Sequence, residues 1–149
     1  MNPRLLGSLA ISFAAFFAGA AIYITVAEHP ARLLLDSRNL LLEWQATYPV
    51  GVKLQGSVVI LAGLAALWAW WLSRDWRWIL GAMLILANWP FTLMVLQPIN
   101  SELMALAPEQ TGARAHALAV RWGNLHAVRG GFGVLSLATF LWALNRRQS

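Results

Sequence analysis

In the segment WGNLHAVR, residues 122–129, Trp122, His126 and Arg129 fall at i, i+4 and i+7, so a helix sets them in one stripe. A histidine in such a stripe can take or give a proton near neutral pH, and an arginine one turn away can hold an anion. The segment EHPAR, residues 28–32, packs Glu28, His29 and Arg32 into five positions directly after an apolar run. Isolated polar residues stand inside or at the edges of other apolar runs: Gln55, Asn88, Gln97 and Asn100. The chain has no cysteine, which removes disulfides, thiolate ligands and a cysteine nucleophile. It also has no phosphate loop, nucleophile elbow, nucleotide fingerprint or serine triad. The remaining chemistry is proton transfer and electrostatic stabilisation by His, Glu, Arg and Asn.

His29 and His126 admit several readings. They are interfacial hydrogen-bonded side chains without a role, a base or donor in a pocket, or axial ligands of a haem held between facing helices. A non-haem metal site built from Glu28, His29, Glu102 and His126 is a further alternative, without the tight spacing that would mark one. His116 reads as exposed. Arg129 likewise has a plain reading, as one half of a helix-pinning ion pair with Glu28 or as a side chain that snorkels to headgroups.

The elements that must position these groups are membrane helices. Hydrophobic residues make up 59% of the 149-residue chain and charged residues 11%, outside the balance of a soluble domain. The eleven Lys and Arg exceed the six Asp and Glu but are scattered, which argues against a nucleic-acid surface. Four spans follow, at about 5–27, 54–73, 78–97 and 125–144, in one domain covering 1–149, and they predict an all-α integral membrane four-helix bundle. The first is uncharged and reaches about 34 Å against a hydrocarbon core of about 30 Å. AGA at 18–20 resembles a signal-peptide cleavage site, but an uncleaved first helix is the simpler reading.

The fourth apolar run is short, so its span must borrow back to Leu125, which carries Arg129 about 22 Å up from Leu144. A charge at that depth needs a partner inside the bundle, and Glu28 is the expected one. With alternating spans, the polar ends of all four meet at one membrane face and can enclose a pocket. Asn88 and Pro90 inside the third span predict a kink that serves packing or a cavity. Small residues at Ala14, Ala15, Ala18 and Gly19 on the first span and Gly130, Gly131 and Gly133 on the fourth allow close contact.

Arg4, Arg74, Arg77, Arg146 and Arg147 lie in short tails or a tight turn, and their density near helix ends places both termini in the cytoplasm. Trp68, Trp70, Trp71, Trp76 and Trp78 then form an aromatic belt at that interface. The longer connections, 28–53 and 98–124, are each expected to hold a short interfacial helix, the first of them in ARLLLDSRNLLLEW after Pro30. The segment RAHALAVRWGNLHAVR has the spacing to run straight into the fourth span.

Three elements together resemble one family: EHPAR at 28–32, WPFT followed by LQPINSEL from 89 to 103, and WGNLHAVR at 122–129. The chain is similar to the small four-helix membrane proteins of the anthrone oxygenase-like (DUF1772) family. That resemblance implies an oxidoreductase acting on a hydrophobic aromatic small molecule with oxygen and without a cofactor, in a bacterial inner membrane. It implies catalytic roles for His29, His126, Arg129 and Glu28, and substrate binding by Arg32, Gln55, Asn88, Asn100 and Trp122, with no metal. His29 or His126 would deprotonate a phenolic ring system, and Arg129 with Asn100 would hold the anion. The competing class is a non-enzymatic protein that binds a lipid, quinone or haem or joins a membrane complex. Membrane lipids are the other expected partners, and the oligomeric state is left open, a homo-oligomer included.

Overall fold

The computed structural model describes residues 3–109 and 112–145; Arg146 and Arg147, used above for orientation, lie outside them. Four long helices, α1 (Arg4–Leu33), α2 (Ser37–Ser73), α3 (Trp76–Ala105) and α4 (Gly112–Leu144), are each long and apolar enough to cross a membrane. No strand occurs among the described residues. Each helix packs along two neighbours, α1 and α3 each lying between α2 and α4, so the four close into a ring.

Local chemistry sets the helix ends. Asp36 caps α2, its carboxylate accepting from the backbone N–H groups of Asn39 at 3.0 Å and Arg38 at 3.1 Å. These bonds, with one from the Asn39 side chain, hold the Asp36 carboxyl below its usual pKa. At the other end of α2, Arg74 turns left-handed at φ 57°, and Asp75 starts α3 by accepting from Arg77 N. Around this 74–75 turn Trp68, Trp71, Trp76 and Trp142 are exposed, with the Arg74 guanidinium 4.7 Å above Trp71 and that of Arg77 4.3 Å from Trp142. That is the pattern of the expected belt, although Trp78 is buried.

The helices run beyond the membrane thickness, and here the structure departs from the sequence reading. At 37 residues α2 reaches about 56 Å, nearly twice the hydrocarbon core. The segments expected to form separate interfacial helices are instead continuations of the spans. Leu41 and Trp44 are fully buried against Leu96, Ile99, Leu103, Ala115 and Trp122, and Leu40 is fully buried beside them in sequence, so packing on neighbouring helices outweighs lying on lipid. The bundle therefore has two apolar cores. One, within the spans, is built on small residues such as Ala10, Ala14, Ala62 and Ala66 with Phe17, Trp78 and Phe140 between them. The other lies at the end remote from the 74–75 turn.

Two turns in α1 and α3 are wider than α-helical. His29 N–H donates to Ile24 and Gln97 N–H to Thr92, five residues back in each case. Each wide turn is followed by a proline, Pro30 and Pro98, which has no N–H to give and crowds the carbonyl four residues before it. Widening the turn ahead of the proline relieves that clash.

Candidate functional site

The polar side chains meet between the two apolar cores, around a cavity of about 120 Å³ to which all four helices contribute. From α1 come Glu28 and Arg32, from α3 Leu96 and Asn100, and from α4 Trp122, His126 and Arg129. The α2 face presents Trp44, Tyr48, Val52 and Gln55, one helical stripe that continues straight past Pro49.

Each group is oriented by a neighbour of fixed hydrogen-bond role. The Trp122 indole N–H can only donate, and it donates to Asn100 Oδ1 at 3.0 Å, leaving the Asn100 NH₂ as a donor at the cavity it lines. The Thr25 hydroxyl donates to Ala21 O at 2.8 Å, so its oxygen faces His126 Nδ1, 3.5 Å away, as an acceptor. That contact, though long, favours the proton on Nδ1 and leaves the lone pair on Nε2, which has no hydrogen-bond partner among the described residues. The imidazole stacks on Trp122, ring centroids 4.8 Å apart. The Thr25 contact and the stacking fix the orientation of the His126 ring at the cavity wall.

Arg129, 7% exposed, donates to Gln55 Oε1 at 2.7 Å and lies over the Phe17 ring at 5.3 Å. Among the described residues no carboxylate pairs with it, and its Nε is buried without a partner. The expected Arg129–Glu28 pair is not formed. Glu28 is instead held by Arg32, one turn along its own helix, at 2.5 Å, and Arg32 also binds Glu43 through both its Nε and a terminal nitrogen. The shorter reach within one helix wins the carboxylate.

His29 does not reach the cavity. It is buried behind Trp122, centroids 5.5 Å apart, and its ring lies where a side chain on Gly123 would stand. With both imidazoles packed on one indole, no slot for a porphyrin lies between them, and the haem alternative does not fit this geometry. The four-residue metal alternative does not converge either, because Glu102 is paired with Arg114, and no three His, Asp or Glu side chains cluster among the described residues. Asn88 is also displaced from the expected site. Its amide donates to Ile85 O at 2.9 Å, and it lines a second, smaller pocket that shares Arg129 and Val52 with the first.

Glu43, Thr47, Tyr48 and Thr25 take part without having been singled out. For the α2 residues the signal was present: Trp44, Tyr48, Val52 and Gln55 repeat at helical spacing, visible once the helix is allowed to pass through Pro49.

The anthrone oxygenase family model matches residues 44–139, which hold the α2 stripe, Asn100 and the whole α4 triplet. The chain is 30% identical over 130 residues to the anthrone oxygenase dmxR16 of Cryptosporiopsis sp. (strain 8999), covering 81% of this chain and 75% of that protein. No solved structure matches.

Proposed function

The chain belongs to the anthrone oxygenase family, and from that premise we propose that it is a membrane oxygenase converting an anthrone-like phenolic ketone to the corresponding quinone with dioxygen. The observation that carries this reading is the buried Arg129 guanidinium, which has no carboxylate of its own and stands one turn from a histidine whose Nε2 is unpartnered. A buried cation without a counter-charge suits a site whose substrate becomes an anion.

In an anthrone, a CH₂ group lies across the central ring from a ketone. His126 Nε2 takes one CH₂ proton, and the electron pair moves through the ring to leave an enolate oxygen. Arg129, with the amides of Asn100 and Gln55, holds that oxygen. The ring carbon then gives its electron pair to dioxygen, forming a C–O bond, and the peroxide takes up a proton. Loss of the second C–H proton with cleavage of the O–O bond releases water and leaves the second carbonyl. One anthrone and one dioxygen thus give one anthraquinone and one water, the substrate supplying the electrons. The cavity is smaller than the roughly 300–1,000 Å³ of pockets that enclose drug-sized ligands, so it grips the reacting edge of a flat molecule.

The test is oxygen uptake by the purified protein with a panel of anthrones and related phenols. His126→Ala should lower the rate by about 10²–10⁴-fold, the usual worth of a positioned base, with helicity retained. No uptake by the native protein across the panel would sink the reading, and a bound quinone or lipid found on extraction would favour a binding protein instead.

A further inference from the structure

A second pocket, of about 20 Å³, lies between α2, α3 and α4, and is walled by Val52, Gly56, Val59, Trp89 and Thr92 with Arg129 at one end. Val52 and Arg129 line the larger cavity as well, so the two spaces share as a wall the side chain that would hold the substrate anion. Gly56 stands about 26 Å along α2 from the 74–75 turn and Trp89 about 20 Å along α3, both inside a hydrocarbon core of about 30 Å. Trp89 is 40% exposed on the lipid side, so the pocket borders acyl chains.

The volume admits about one diatomic or water-sized guest. Water is poorly served there. The polar atoms at its wall are few: Asn88 Oδ1 and Arg129 Nε are occluded by their surroundings and Thr92 brings one hydroxyl, whereas a buried water needs about two to four polar partners. An apolar diatomic needs none, and it enters hydrocarbon more readily than water. Resting on the oxygenase reading above, we propose that this pocket is the port through which dioxygen passes from the membrane to the substrate anion at Arg129. The absence of a side chain at Gly56 keeps it open: a Cβ there would stand 3.3 Å from Trp89 Cζ2.

The test compares the full chain with Gly56→Ala and Gly56→Val in lipid nanodiscs, using xenon as an inert probe and oxygen as the reactant. Xenon should shift the Trp89 indole N–H resonance saturably in the native protein, less in Gly56→Ala and not at all in Gly56→Val. The KM for oxygen should rise in the same order, by roughly tenfold in Gly56→Val, while the KM for the organic substrate stays constant. Unchanged substrate KM and helicity show that the variants are folded. A native protein that oxidises its substrate with an oxygen KM indifferent to Gly56, or a Trp89 signal that xenon leaves unmoved, would overturn the port and spare the oxygenase reading. A native protein that binds xenon at Trp89 yet consumes no oxygen would overturn the oxygenase reading, and the port with it.

Discussion

Arg32 is met by two carboxylates and Arg129 by none, although both are buried. The difference predicts opposite responses to one substitution. Arg32→Met removes the cation between Glu28 and Glu43 and leaves two acids facing each other without a donor. Because each acid is about one-third exposed, the loss should be about 2 kcal/mol rather than the larger figure for a fully buried pair. Arg129→Met removes an uncompensated charge whose burial in the membrane edge costs up to about 2.5–3.5 kcal/mol, so the bundle should melt no lower than the native protein. Its activity should nonetheless fall by roughly 10²–10³-fold, as when an oxyanion donor is lost. Thermal unfolding in detergent alongside oxygen uptake checks both. An Arg129→Met protein that unfolds early would show that the guanidinium holds the bundle together instead of serving a substrate.

At the scale of elements, the close approach of α1 and α4 sets Trp122, and Gly123 permits that approach. A methyl group on Gly123 would collide with the His29 imidazole, whereas one on Gly131, two turns on, meets nothing within 4 Å. Gly123→Ala should therefore cost about 1–3 kcal/mol by overpacking and disturb the Trp122–Asn100 bond, visible as a shifted indole resonance. Gly131→Ala should be neutral or stabilising by up to about 1 kcal/mol through helix propensity. Equal melting points for the two would refute the tight α1–α4 contact. The convergence of Gln55, Asn100, His126 and Arg129 was legible in the sequence because spacing and span length alone bring their helix ends to one level. The identity of the ion pairs was not, since Glu28 had two arginines within reach and only packing decides between them. Glu43 and Tyr48 were hidden for a different reason. Pro49 reads as a helix boundary, and a continuous α2 is sustained by tertiary burial of Leu40, Leu41 and Trp44 that no local pattern announces.

For the whole molecule, the site sits between the core of the four apolar spans and a second core at the end remote from the 74–75 turn, so the direction of the bundle decides from which aqueous side the cavity is approached. The density of arginines at the 74–75 turn supports placing that turn, and with it both termini, in the cytoplasm, which would set the cavity toward the opposite face. The absence of native cysteine makes a direct test simple. Leu34, in the short link between α1 and α2, is 88% exposed, and Ser73, at the end of α2, is exposed beside the tight turn. In sealed cells, a membrane-impermeant maleimide should label Leu34→Cys and leave Ser73→Cys untouched until the membrane is opened. The reverse pattern would invert the bundle and place the cavity on the cytoplasmic side. Equal labelling of both in sealed cells would mean that the chain inserts in two directions, as expected if the near-even split of positive charge between its two ends leaves neither orientation preferred.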